Sequence, residues 1–358
     1  MSSNKCVKVL IVDDSAIVRN SLASSLNKRA EIEVVGTAID PYSAREKIIS
    51  LKPDVITLDI EMPRMDGLTF LDKLMKHYPI PVLIVSSIAP EGSRSYFRAL
   101  ELGAFDVISK PESAFGPDIA KKVSLIADKI KAAANVNMEA RRKLAAISPG
   151  RSARRTKNNG SRAMVETTQK IVAVGASTGG TTTFQAFLAG FAGICPPMLV
   201  VQHMPSVFTE SYAQRLNDMF PMEVKEARDG DRLLANRVLI APGNYHMLLR
   251  RSGARYYVEM NQAPPVCYVR PSVDVLFYSV ADYAGANSIG VILTGMGSDG
   301  ANGLLKMKNS GAFTMAQDEN TSIVYGMPKA AAEKNAADMI LPVDKIPEQI
   351  ISRAGAQS

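Results

Sequence analysis

The chain has 358 residues and a net charge of +7, with 46% hydrophobic and 22% charged residues, enough for two or three domains that each bury a core. Its three cysteines, Cys6, Cys195 and Cys267, are odd in number and lack Cys-x-x-Cys spacing, which argues against a disulfide framework or zinc site and for a reducing compartment; a cytoplasmic protein is expected. No apolar run reaches the ~20 residues needed to span a bilayer, and the first one ends in Asp13-Asp14, as a strand does and a signal peptide does not.

Residues 1–128 read as five strand-helix units, with strands near Val7–Val12, Glu33–Thr37, Val55–Leu58, Val82–Val85 and Asp106–Ile108. Such alternation predicts an α/β domain, a doubly wound parallel sheet with helices on both faces. Asp13 and Asp14 end the first strand and Asp59 the third. That would gather three carboxylates at the sheet's carboxyl edge, where ligands bind in such folds. Like charges so close raise one another's pKa unless a cation is present, and hard oxygen ligands suit Mg²⁺. Ser86 ends the fourth strand and Lys110 the fifth, each placed to contact a phosphoryl oxygen. Any one of these residues alone reads as a solvated loop residue; five at strand ends do not.

With Asp13-Asp14-Ser15, Asp59 ahead of Met62-Pro63-Arg64-Met65-Asp66-Gly67, Ser86-Ser87 and Lys110-Pro111, this half resembles the receiver domain of two-component response regulators. The resemblance implies a flavodoxin-like fold in which Asp59 accepts a phosphoryl group from a chemotaxis histidine kinase. It also implies that Asp13, Asp14 and Asp59 hold Mg²⁺, Ser86 senses the phosphoryl group and Lys110 pairs with it. Lys110-Pro111 is a candidate cis bond.

Residues 129–167 are expected to be a basic linker. Between Lys129 and Arg162 ten Lys or Arg face one acid, Glu139, giving +9, so the rest of the chain carries 7 − 9 = −2. A basic arm can bind nucleic acid or an anionic membrane surface. Here Ser148–Arg162 is Ser-, Arg-, Asn- and Gly-rich with no interleaved aromatic residue, which favours a flexible tether and no nucleic-acid partner. The front part, to about Leu144, is expected to continue the receiver's last helix.

Residues 168–358 read as a second, Rossmann-like α/β domain. Strands are predicted near Ile171–Val174, Leu199–Gln202, Val238–Ile240, Ile289–Leu293 and Met339–Leu341, with an inserted β-hairpin, Met247–Arg250 and Arg255–Glu259, turning at Ser252-Gly253. The first turn lacks Gly-x-Gly-x-x-Gly, so no nucleotide cofactor is expected there. Instead Gly175-Ala176-Ser177-Thr178-Gly179-Gly180 places a serine on a glycine-built strand-to-helix turn, the mechanics of a nucleophile elbow, although such turns also cradle phosphates. Of three histidines, His77, His203 and His246, only His203 ends a buried strand of this domain, ahead of Pro205. Asp299 follows the strand ending at Leu293, where its plain alternative is to cap the next helix. Ser177, His203 and Asp299 would therefore converge on one crevice. The chain order Ser, His, Asp differs from the Ser, Asp, His of α/β-hydrolases.

Those residues, together with Gln202-His203-Met204-Pro205, Pro271-Ser272-Val273-Asp274 and Thr294-Gly295-Met296-Gly297-Ser298-Asp299-Gly300, resemble the chemotaxis protein-glutamate methylesterase family. The resemblance implies a catalytic triad of Ser177, His203 and Asp299, with backbone N–H groups near Thr178 and Met296 holding the oxyanion and no cofactor at the hydrolase site. The implied activity is phosphorylation-controlled demethylation of chemoreceptor glutamates and deamidation of their glutamines, near membrane-bound receptor arrays but without membrane insertion. An esterase for another ester and a non-catalytic adaptor remain as alternatives. The receiver is expected to repress the hydrolase by covering its crevice until Asp59 is phosphorylated.

Overall fold

The computed structural model describes residues 6–87, 93–110, 117–147, 170–191 and 195–355. The chain divides into two compact units, Met1–Val136 and Asn137–Ser358.

In the first unit, β1 (Val7–Val12), β2 (Ile32–Ala38), β3 (Val55–Leu58), β4 (Val82–Ser86) and β5 (Asp106–Ser109) form an all-parallel sheet in the order β2-β1-β3-β4-β5. Strands β3 and β4 are buried along their whole length, as expected of strands covered on both faces. Helices α1 (Ala16–Leu26), α2 (Pro41–Leu51) and α3 (Gly67–His77) start on the side-chain caps Ser15, Asp40 and Asp66. Helices α4 (Ser93–Leu102) and α5 (Pro117–Ala134) complete the unit. Chain direction across the sheet reverses between β1 and β3, so the crevice of a doubly wound fold opens at their carboxyl ends.

The stretch expected to be a tether is divided differently. Helix α5 carries the core positions Val123, Ile126, Ala127, Ile130 and Ala133 and stops at Ala134. A separate helix, α6 (Met138–Ile147), follows and belongs to the second unit. Asn137 makes the break: its Oδ1 accepts from the Ala140 N–H at 2.8 Å, its N–H donates to Ile323 O at 3.1 Å and its Nδ2 donates to Asn320 O at 3.2 Å. Asparagine competes with helix continuation by bonding nearby backbone, so the helix restarts instead of running on to Leu144. Ala140 and Leu144 then bury their side chains. Ser148–Arg162 and the Lys110–Pro111 bond lie outside the described residues; the cis peptide seen is Arg270–Pro271.

In the second unit, β6 (Ile171–Ala176), β7 (Met198–Gln202), β8 (Glu223–Glu226), β9 (Arg237–Ile240), β12 (Ser288–Ile292), β13 (Phe313–Gln317) and β14 (Met339–Leu341) form a parallel seven-stranded sheet. Its order is β14-β13-β12-β6-β7-β9-β8. The helices are α7 (Gly180–Ala189), α8 (Ser206–Met219), α9 (Val273–Tyr283), α10 (Ala301–Asn309), α11 (Met327–Glu333) and α12 (Ile346–Gly355). The hairpin is present as β10 (His246–Ser252) and β11 (Arg255–Asn261), antiparallel and outside the main sheet. It docks on α9, where Ser279 Oγ accepts the Leu249 N–H at 2.8 Å and Met247, Leu249 and Val258 share a core with Leu276 and Val280. Here the strand order reverses between β6 and β12.

Candidate active site

Ser177 follows β6, His203 follows β7 and Asp299 follows β12, so three neighbouring strands deliver all three to one carboxyl edge at the reversal point. The turn carrying Ser177 depends on Gly179, whose φ of +77° suits glycine and strains other residues. The facing turn comes equally close: a Cβ on Gly295 would lie 2.9 Å from Ser177 Cβ and 2.2 Å from Met327 Sδ. Backbone bonds fix the register, with the Ser177 N–H donating to Thr294 O at 3.0 Å and the His203 N–H to Ala176 O at 3.0 Å.

His203 Nε2 lies 2.9 Å from Asp299 Oδ2. Ser177 Oγ makes no hydrogen bond among the described residues, so the structure joins the base and the acid and sets the serine beside them on the same edge. Asp299 is buried, which alone would raise its pKa, but hydrogen bonds from His203, Ser272 and Val273 outweigh burial and hold the carboxyl below its usual range. Its donors are Ser272 Oγ–H at 2.7 Å, Val273 N–H at 2.7 Å and Asp274 N–H at 3.1 Å.

The expected plain role of Asp299, capping its own helix, is not what it does. Helix α10 starts on Gly300 without a side-chain cap, and Asp299 instead binds the amino end of α9. Asp274, in the first turn of α9, returns the arrangement: its Oδ1 accepts from the Gly303 N–H at 2.6 Å, at the start of α10. The turn ahead of α10 thus lends a carboxylate to the positive end of α9, and α9 lends one to the positive end of α10. Burial pushes Asp274 up, against its backbone bonds.

Sequence reasoning gave Ser272 and Asp274 no role beyond the motif they sit in. A serine ahead of an apolar helical run is a cap signal, and Ser272 is the α9 cap; nothing local reveals that its Oγ also holds Asp299. His246 likewise sits behind the site. It is buried, its Nδ1 accepts the Ser272 N–H at 3.1 Å, its Nε2 contacts Pro264 O at 3.2 Å, and burial pushes its pKa down. It is a neutral structural group, not a rival base. Thr178 is buried beside Ser177, its carbonyl accepting Thr294 Oγ1–H at 3.2 Å, and Met296 follows Gly295 in the facing turn.

The first unit holds a second site at its own reversal point. Asp13, Asp14 and Asp59 each bring one carboxylate oxygen within 4.8 Å of the others. Lys110 Nζ lies 2.5 Å from Asp59 Oδ2 and 2.7 Å from Asp13 Oδ2. Asp13, Asp59 and Ser86 are buried, whereas Asp14 is exposed. Burial raises the pKa of Asp13 despite the Lys110 bond. Burial would lower Lys110, but its hydrogen bonds to Asp13 and Asp59 prevail and raise it. Arg19 Nη1 donates to the Asp13 and Asp14 carbonyls at 2.7 and 2.8 Å, fixing the turn that carries both acids.

Residues 172–350 match the CheB methylesterase family and residues 9–116 the response regulator receiver domain. A protein-glutamate methylesterase/protein-glutamine glutaminase of Bdellovibrio bacteriovorus is 50% identical over 347 residues, 97% of each chain. One of Syntrophus aciditrophicus is 52% identical over 345 residues, 96% of this chain and 98% of the relative. Among solved structures, the Thermotoga maritima CheB methylesterase catalytic domain is 39% identical with a TM-score of 0.51, covering 52% of this chain and all of that domain.

Proposed function

Because this chain belongs to the CheB methylesterase family and carries a receiver domain ahead of its catalytic unit, we propose that Ser177, His203 and Asp299 perform its hydrolysis of glutamate methyl esters and glutamine amides. The observation that carries this assignment is the 2.9 Å pair between His203 Nε2 and Asp299 Oδ2 at the strand edge that also holds Ser177. With Nε2 donating to the carboxylate, Nδ1 is the ring nitrogen left to act as base, the reverse of the usual serine-protease assignment.

Ser177 Oγ attacks the side-chain carbonyl as its proton passes to His203 Nδ1. Collapse of the tetrahedral adduct breaks the bond to the methoxy group, which leaves as methanol with that proton, or to the amide nitrogen, which leaves as ammonia. Water then attacks the acyl-serine along the reverse proton path and releases glutamate. Asp299 supports the transient imidazolium. The Thr178 and Met296 N–H groups, on turns in contact at Gly295 and Ser177, serve as oxyanion donors, a role typically worth about 3–4 kcal/mol each.

In the first unit Asp59 accepts the phosphoryl group, supplied by a chemotaxis histidine kinase. The crowded hard-oxygen set suits Mg²⁺: burial already disfavours the charge on Asp13, and among the described residues Lys110 is the one cation bonded to the two buried carboxylates. Asp13, Asp14 and Asp59 would hold the ion, which when bound supplies positive charge against the phosphoryl oxygens. Lys110 then pairs with the new anion and Ser86 reports it. The substrate is the methylated or amidated side chain of a chemoreceptor. The decisive test is mass spectrometry of the chain treated with a fluorophosphonate, beside methanol release from methylated receptors. An adduct on Ser177 with release abolished is expected; full release from the Ser177→Ala protein refutes the assignment.

A further inference from the structure

Gln202, the last residue of β7, is buried among the groups just described but takes no part in the steps above. Its Nε2 donates to the Ser177 carbonyl at 2.8 Å and to the His203 carbonyl at 3.1 Å. One amide therefore joins the backbone of the nucleophile to that of the base, across β6 and β7. Its Oε1, by contrast, is buried with no hydrogen-bond partner among the described residues. A buried amide left unpaired at one end is unfavourable, so fold stability alone does not account for it.

The neighbouring turn is shaped around this amide. A Cβ on Gly180 would lie 2.1 Å from Gln202 Oε1, so only glycine leaves room for the side chain beneath the start of α7. The Gly180 N–H also donates to the Ser177 carbonyl, at 2.8 Å, but that bond is internal to the turn and moves with it. Gln202 adds a side-chain tie between the turn and the strand that carries His203, beside the backbone bond from the His203 N–H to Ala176 O.

Peptide planarity makes the tie consequential. The Ser177 carbonyl and the Thr178 N–H belong to one trans unit, so they point in opposite directions. Holding the carbonyl toward Gln202 sets the direction of the Thr178 N–H. Hydrogen-bond donors aimed in advance at developing charge act mainly on the transition state.

We propose that Gln202 is a positioning residue for hydrolysis, orienting the Ser177–Thr178 peptide and bracing it against the backbone of His203. It touches no reacting atom. The inference rests on the assignment of Ser177 as nucleophile and Thr178 as oxyanion donor.

The experiment uses the full chain, with kcat expressed per active site titrated by fluorophosphonate and methylated receptor membranes as substrate. Gln202→Met, close in size but without donors, is expected to lower kcat by about 10–100-fold with KM within about twofold, since an oxyanion donor is typically worth 10²–10³ in kcat. Gln202→Glu supplies a readout that a packing role would not move. Its carboxyl, buried against two carbonyl oxygens, donates when protonated and repels when charged. The ratio of its rate to that of the wild type should therefore fall as pH rises. Gly180→Ala, which displaces the amide, should reproduce the loss in kcat. A Gln202→Met protein with kcat within twofold of wild type, a loss confined to KM, or a Gln202→Glu ratio flat in pH would overturn the proposal. Should Gln202→Met fail to fold, the pH dependence of the Gln202→Glu ratio decides. If Ser177→Ala itself stays active, it is the underlying assignment that has failed.

Discussion

The two sites of this chain occupy the same place in two similar sheets, the carboxyl edge where strand order reverses, yet they treat charge in opposite ways. In the first unit Asp13 and Asp59 share one cation, Lys110, and burial leaves Asp13 reluctant to ionise. In the second, Asp299 is equally buried but receives four donors and is held ionised. A fold supplies the edge; the count of donors per carboxylate decides what the edge is for. On the proposed function, the under-satisfied acids await an ion and a phosphoryl group. The fully satisfied acid instead stays ionised beside a histidine and the amino end of a helix.

The sharpest way to separate the sites is to remove one chemistry and watch the other. Ser177→Ala should cut methanol release by several orders of magnitude, the scale seen when a triad serine is lost, while Asp59 still takes one phosphoryl group from a small donor with Mg²⁺. Loss of both activities in mass-spectrometric and methanol assays would contradict two independent sites. Asp59→Asn should do the reverse, abolishing labelling and the rise in esterase activity on phosphorylation while leaving basal release intact.

The next contrast concerns coupling. A fragment beginning at Asn137, which keeps α6, should exceed the unphosphorylated full chain in activity by about 5–150-fold, the usual range for coupled sites, and should ignore phosphodonor. Fragments begun at Thr168 lack the helix whose Asn137 holds the 320–323 segment, and should melt at lower temperature. A fragment no more active than the unphosphorylated chain would favour direct activation over repression.

Within the triad, His203→Ala and Asp299→Ala should both abolish catalysis, but only the second should lower stability, by about 2–4 kcal/mol, because it strips the acceptor from buried donors. Denaturant titration distinguishes them. The smallest expected effect is in the pH dependence. With its folded pKa below 3.8, Asp299 contributes stability that is present above its unfolded pKa and is lost as pH falls through the folded one. Asp13, with its folded pKa above 3.8, behaves oppositely: the fold loses stability as pH rises from the unfolded pKa through the folded one. Asp13→Asn should therefore stabilise the chain at neutral pH, with a gain that shrinks toward pH 4, and Asp299→Asn should destabilise it over the same range. Melting curves without Mg²⁺ that show the same sign for both variants would break the comparison.

Much of this was legible in the sequence because both sites lie at strand ends, and buried parallel strands announce themselves as apolar runs. Five strands of each sheet, the hairpin and every assigned strand-end residue could be placed from local pattern. The edge strand β8, Glu-Val-Lys-Glu, is too short and polar to stand out, and β13 is built from the weak strand formers Met and Ala around a single Phe and Thr. The sequence pattern runs α6 on from α5, because charge count cannot show that Asn137 finds partners near residue 320. Gln202, Ser272 and Asp274 were visible only as members of motifs. Their partners are the backbones of distant turns, and such contacts leave no periodicity to read.

The exchange of carboxylates between α9 and α10 has a consequence for how this enzyme can decay. In the proposed triad Asp299 serves both His203 and the amino end of α9, whereas the side chains of Ser177 and His203 serve the chemistry alone. In a lineage that stops needing hydrolysis, mutation can erase the serine or histidine without unfolding the domain, but erasing the aspartate removes a helix's anchor. Descendants that have lost the nucleophile should still carry the acid, a fossil of catalysis preserved by architecture.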